Sequence, residues 1–264
     1  MQNLDAVLTP RTLGDGRYAF CVPEGWGQGK AVFGGLVLGG LVRAMTRELS
    51  DDARPLRSLS AELVGSPVPG DARIDVRVLR AGKAVTTLCA DLSQNGELLT
   101  HAVAVFGADR SLALPRLDLE RPRMPPWKDT PLADMSAAFA PQFTQHFEYR
   151  PVHGYPFSGQ KASTSGWLRP RLDVTENDAA FVTALADAWW IGEMVAFSEP
   201  RAAATLTFGI DLHEPLTGLP RDAPLFHQGE GLARTGGYAS EVRTLWGEDG
   251  RLVSVNRQLI AIIK

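Results

Sequence analysis

The sequence predicts an α+β protein built from two copies of one unit, each a long helix held against an antiparallel sheet, joined by a proline-rich connector. Three features carry this. Apolar residues recur at helical spacing once in each half, alternating strand patterns end in glycine-containing turns, and the order of these elements is the same on both sides of a run of prolines.

In the first half a strand begins near Arg17. Leu38, Leu41, Met45 and Leu49 then repeat at helical spacing behind the pair Gly34–Gly35, which opens the turn into the helix. Four strands follow, to about Phe106. Residues 73–79 alternate as RIDVRVL, and Asn95–Gly96 is a two-residue hairpin signal between apolar runs. From Asp109 to about Pro131 the prolines at 115, 122, 125, 126 and 131 favour neither ladder nor helix, so this stretch reads as the connector.

The second half repeats the plan. A strand is expected near Phe143 to Arg150, followed by GWLRPRLDV, then a helix from about Asn177 to Val195 with Thr175 as N-cap and Asp178 in the first turn. ATLTFGIDLH then alternates, with Leu206, Phe208, Ile210 and Leu212 on one face and Thr205, Thr207, Gly209, Asp211 and His213 on the other. Glu248-Asp249-Gly250 turns the last strand pair. The expected division is 1–108, 109–140 and 141–264.

The halves also share punctuation. Pro67-Val68-Pro69-Gly70 ends the strand after the first helix as Pro215-Leu216-Thr217-Gly218 ends the strand after the second, and Gly96 and Gly250 close the two final hairpins. This is the mark of an internal duplication. A sheet that wraps one helix leaves open edges, and two such units can remove a pair of them by joining edge to edge.

Composition narrows the function. Of 264 residues 44% are hydrophobic, enough for a sizeable core, and 27 basic and 30 acidic residues are mixed along the chain, leaving no electrostatic footprint for nucleic acid. The longest uncharged apolar stretch, Ala31 to Val42, is too short to span a bilayer. The N-terminal residues carry neither a basic nor an apolar leader pattern, and Cys21 and Cys89 are far apart with no CxxC spacing, so free thiols in a reducing cytoplasm are expected. GWGQGK (25–30) lacks the pattern of a phosphate-binding loop, no G-x-S-x-G elbow occurs, and the five histidines show no metal-ligand spacing. No metal and no cofactor are expected.

At VFGGLVLGGLVRA (32–44), PLRSLSAELVGSPVPG (55–70) and LSQNGELLTHAVAVFG (92–107) the first half resembles the N-terminal hotdog domain of the acyl-CoA thioesterase II family. GWLRPR (166–171), ALADAWW (184–190), ATLTFGIDLHEPL (204–216) and DGRLVSVNRQL (249–259) resemble that family's C-terminal hotdog domain. The resemblance implies a tandem hotdog, an acyl-CoA substrate, a homo-oligomer of double-hotdog subunits, and hydrolysis by a water held by an aspartate, a hydroxyl residue and a glutamine. On this sequence those fall on Asp187, Thr205 and Gln258.

Each has a plain structural alternative. Asp187 could sit on the solvent face of its helix, and Thr205 could be an ordinary strand residue. Gln258 is more telling, because an amide among the apolar residues of VNRQLIAI needs hydrogen-bond partners. Laying one half over the other puts Gly39, Arg57 and Ala104 opposite Asp187, Thr205 and Gln258, so the first half lacks all three. Backbone N–H groups around Gly34 and Gly35 are expected to face a developing oxyanion, and Trp189 and Trp190 to line an acyl pocket. Two other functions fit the same scaffold: a non-catalytic acyl-CoA-binding protein, which would lose the water-holding set, and a hydratase or dehydratase, which would want a histidine or a carboxylate pair at the site.

Overall fold

The computed structural model describes residues 4–110, 112, 115, 117, 119–136, 140–174, 178–213 and 220–263. The first half runs α1 (Leu4–Leu8), β1 (Arg11–Gly14), β2 (Arg17–Val22), β3 (Gly27–Gln28), β4 (Ala31–Val32), α2 (Gly34–Leu49), β5 (Leu56–Leu63), β6 (Gly70–Ala81), β7 (Val85–Gln94) and β8 (Glu97–Gly107). The second runs β9 (Phe147–His153), β10 (Ser163–Pro170), α3 (Ala179–Asp187), α4 (Gly192–Ala196), β11 (Ala203–Leu212), β12 (Leu225–Thr235), β13 (Tyr238–Gly247) and β14 (Leu252–Ile262).

Twelve strands form one antiparallel sheet in the order β1-β2-β6-β7-β8-β5-β11-β14-β13-β12-β10-β9, with β3 and β4 a separate pair. The six strands of the first half meet the six of the second at a seam, where β5 pairs β11 from Ser58↔Asp211 to Glu62↔Thr207. This is the α+β plan expected: two helix-wrapping sheets fused at an edge, which hides one edge from each.

Helices α2 and α3 lie together within the curve of the sheet and share one core with it. Small residues permit the approach: a Cβ on Gly39 would stand 3.0 Å from the Ala180 carbonyl and 2.9 Å from Leu8 of α1. Buried Arg43 ties the far end of this pair together. It bonds Asp178 through Nη2 at 2.8 Å, the Asp5 carbonyl at 3.0 Å and the Thr9 hydroxyl at 3.0 Å.

The connector is not loose throughout. Trp127 packs with Trp167, Phe226, Trp246 and Leu252 on the sheet face opposite the helices, and the Trp167 indole N–H donates to the Pro125 carbonyl at 2.8 Å. The Arg150 and Arg169 guanidinium groups cover the Trp127 ring, 4.4 and 5.0 Å from its centroid.

Three local expectations need correction. Phe143 belongs to a 3-10 turn over Gln142–His146, and the strand begins only at Phe147. The helix expected to reach Val195 stops at Asp187 and resumes as α4. Asp178 is the N-cap of α3, accepting from the Phe181 N–H at 2.9 Å, rather than a first-turn residue. The expected cap Thr175 and the turn 215–218 lie outside the described residues. Cys21 and Cys89 are free thiols on β2 and β7. Among the described residues, the stretch with the length and hydropathy of a membrane span, Ala179–Ala196, is this broken pair of helices, two-thirds buried in the protein.

Candidate active site

Helix α3 ends at Asp187, and the carbonyls on either side of that end have side-chain partners reaching up from the sheet. Arg243 on β13 donates to the carbonyls of Ala186 and Trp189, both at 3.3 Å, and the Tyr149 hydroxyl on β9 donates to Ala188 at 2.8 Å. The Asp187 side chain is thereby aimed at the start of α2. There the Gly35 N–H is directed at its carboxylate, and a Cβ on Gly34 would stand only 2.8 Å from its Oδ2. An anion at a helix N-terminus is well placed electrostatically. The first half of the chain thus supplies one wall of the second half's site.

Thr205 arrives by a bulge. Strict alternation along β11 would turn it outward with Thr207, but Thr205 lies opposite Ile260 and Thr207 opposite Leu259, so Leu206 is an inserted residue. Thr205 therefore shares the inner face with Phe208 and Ile210, a re-aiming that bulges provide near functional sites. Gln258 stands on the same face, opposite Phe208 on β11 and Glu241 on β13.

The three expected residues meet. The Thr205 hydroxyl donates to Gln258 Oε1 at 3.0 Å, and Gln258 Nε2 donates to Asp187 Oδ1 at 3.2 Å and to Asn256 Oδ1 at 3.0 Å. Asp187 and Thr205 line a cavity of about 680 Å³, while Gln258 is buried behind them and bridges the two. Trp189 and Trp190 line the same cavity with Tyr149, Phe157 and Met194. Trp26 and Phe33 instead stack in the core against His146 and Phe143.

Burial pushes the Asp187 carboxyl up to about 6. The Arg243 charge, the Gln258 amide and the Gly35 N–H pull it back down, and the Glu241 charge pushes it up. The carboxylate touches the cavity, yet enough protein encloses it for burial to dominate. Tyr149 is raised well above the usual tyrosine value by burial and by the Asp187 charge. Burial likewise lowers His227, stacked on Trp189, far enough to keep it neutral.

The sheet register aligns the halves directly. Arg57 is the bulged residue of β5 as Leu206 is of β11, so the twin of Thr205 is Leu56, one residue from the expected Arg57. Leu56 pairs Phe106 as Thr205 pairs Ile260, which keeps Ala104 as the twin of Gln258. The comparison also exposes three residues that sequence reasoning missed. Glu241, Arg243 and Asn256 are buried where the first half has Leu88, Ala90 and Ala102. Their signal in the sequence was a polar parity in β13 and β14, which reads like a solvent face.

The two glycines of α2 are expected to fail differently when changed to alanine. Gly34→Ala presses on the Asp187 carboxylate and should lower kcat about ten-fold or more with little change in melting temperature. In Gly35→Ala the new Cβ meets the Ala184 carbonyl at 2.6 Å and collides with the Phe33 ring, and should cost about 1–3 kcal/mol of stability. Thermal melts alongside a rate assay separate the two.

A double hotdog with an apolar cavity and a buried carboxylate at its wall is the class that fold and site define. The family model of the acyl-CoA thioesterase N-terminal domain matches residues 22–107 and that of the acyl-CoA thioesterase C-terminal domain matches residues 115–262. The chain belongs to the acyl-CoA thioesterase family and is a thioester hydrolase. Its fold is shared by a hot dog fold protein of unknown function from Alicyclobacillus acidocaldarius, at 21% identity and a TM-score of 0.89 over 99% of this chain and 98% of that one. It is shared also by an acyl-CoA thioesterase II from Mycobacterium marinum, at 20% identity and a TM-score of 0.79 over 98% of each chain. No curated protein sequence matches the chain.

Proposed function

We propose that the protein hydrolyses acyl-CoA thioesters with Asp187 as general base. A water held between Asp187 and Thr205 attacks the thioester carbonyl carbon as Asp187 takes its proton; the C–S bond then breaks, and the departing CoA thiolate recovers that proton, leaving a free acid and CoA. Gln258 keeps Asp187 and Thr205 in register. The start of α2 at Gly34 offers the positive end of a helix to the oxygen that gains charge, while the Gly35 N–H serves Asp187. Trp189 and Trp190 receive the acyl chain. The reading includes a cytoplasmic protein that assembles as a homo-oligomer of double-hotdog subunits of the kind divided at 1–108, 109–140 and 141–264; β1 and β9 remain as sheet edges.

The observation that carries this reading is the hydrogen-bonded chain Thr205–Gln258–Asp187 on an apolar cavity. A binding protein has no need of a carboxylate held near 6 by burial. A hydratase would want a histidine or a carboxylate pair; among the described residues no histidine lines the cavity, and its second aspartate, Asp134, is exposed and bonded to Ser136. Release of free thiol across a series of acyl-CoA chain lengths tests the proposal. Turnover on at least one chain length, lost in Asp187→Ala and strongly reduced in Gln258→Ala, is expected. Equal turnover in all three proteins would sink the site, and no turnover on any chain would favour a binder.

A further inference from the structure

Asn256 is fully buried on β14, two residues from Gln258 and on the same inner face. Its side chain has a forced orientation. Nδ2 donates to the Gly209 carbonyl at 2.8 Å, and a carbonyl can only accept, so Oδ1 is the atom left to face Gln258. Oδ1 accepts from Gln258 Nε2 at 3.0 Å. That in turn leaves Gln258 Oε1 facing the Thr205 hydroxyl. The polarity of the chain is thus set at the backbone of β11 and passed along to the site.

We propose that Asn256 is a positioning residue for the reaction, holding the Gln258 amide in one orientation while Asp187 changes its protonation state. This rests on the proposed role of Asp187 and Gln258. An ionised Asp187 would by itself favour the Nε2 end of the amide. Once it has taken the proton from water it can donate, and the flipped amide, with Oε1 toward it, becomes competitive. Asn256 has no titrating group and opposes the flip in both states, since Oε1 would then meet Oδ1. With the amide held, the single Thr205 hydrogen is committed to Gln258, so Thr205 can only accept from the attacking water. The water then gives one hydrogen to Thr205 and the other to Asp187, and a lone pair is left for the carbonyl carbon.

Alanine is compatible with the fold at this position, because the twin of Asn256 is Ala102. Asn256→Ala is expected to lower kcat ten- to a hundred-fold, the usual cost of losing a partner that orients a reacting group, with KM nearly unchanged. Its rise of rate with pH should also move to higher pH, because the freed amide can turn to accept from protonated Asp187. The other charged or titratable groups facing Asp187, namely Tyr149 on β9 and Glu241 and Arg243 on β13, are untouched by the change. Asn256→Asp, which keeps the acceptor but when ionised cannot donate to Gly209, should be slowed at a pH where that carboxyl is ionised. In a Gln258→Ala background the same Asn256→Ala change should alter kcat less than two-fold. An equal loss in both backgrounds, or a folded Asn256→Ala protein with the parent's kcat and pH profile, would overturn the proposal. Full activity in Gln258→Ala overturns the site reading and this inference together; slow Gln258→Ala with fast Asn256→Ala overturns this inference alone.

Discussion

Asp187→Asn is expected to lower kcat by about 10²–10⁴-fold while making the protein more stable at neutral pH. The two effects share a cause. Burial raises the folded-state carboxyl from its ordinary 3.8 to about 6, so the folded protein holds this proton more tightly than the unfolded chain does. The stability that comes from holding the proton is complete below pH 4 and is lost as pH rises through 6. Two units correspond to roughly 3 kcal/mol at most, reduced by whatever solvent the cavity admits. Asparagine has no such cost and can still turn its amide oxygen toward Gln258 Nε2. Denaturant titrations of parent and variant at pH 4 and pH 7.5 should therefore coincide at the lower pH and separate at the higher, with the variant more stable. Activity of the parent should rise with pH through an inflection near 6, since only the ionised carboxylate accepts a proton from water. A rate independent of pH between 5 and 7.5, or a variant less stable at pH 7.5, would contradict the assignment.

The second large effect lies under α3. Glu241 and Arg243 form a buried pair at 2.7 Å, with Glu241 also accepting from the Gly192 N–H at 2.6 Å and Arg243 holding the end of α3. Removing one member leaves a buried charge unpaired, so Arg243→Met should cost about 3–5 kcal/mol. The surviving protein should need a higher pH for activity, because Asp187 loses a cation that lowers its pKa and keeps the Glu241 anion that raises it. Glu241→Gln should move the same limb toward acid. The first half shows what an apolar version looks like. Changing Glu241→Leu together with Arg243→Ala copies Leu88 and Ala90, and should be more stable than Arg243→Met alone. Melting curves and pH–rate profiles of these proteins check both signs; a shared direction of pH shift for Arg243→Met and Glu241→Gln would refute the electrostatic account.

Much of the fold was legible because its signals are local. The helical repeat of Leu38, Leu41 and Met45, the RIDVRVL alternation and the Asn95–Gly96 turn each report on their own neighbours, and each appears where expected. What was misread depends on distant partners. The end of α3 at Asp187 has no glycine or proline to announce it; the carbonyls of Ala186 and Ala188 on either side of it are met by Arg243 and Tyr149 from strands far away in sequence. Thr205 shows the same limit. Its spacing from Phe208 puts it on the outer face, and only the β14 register reveals the bulge that turns it inward. Asp187, Thr205 and Gln258 were named through family likeness, not periodicity. Asn256, Glu241 and Arg243 share the inward parity of Gln258, and buried polar residues in an alternating strand look like solvated ones until the sheet is closed over them.

The seam between β5 and β11 has a consequence for how such a molecule can change over time. Two separate identical subunits joined at that edge would carry every substitution twice, so a charge placed at Arg243 would appear in both cores and each copy would have to tolerate it. A single chain removes that constraint. One half is free to keep leucine and alanine beneath its helix as ballast, while the other acquires acids, amides and a cation that would be hard to sustain in duplicate.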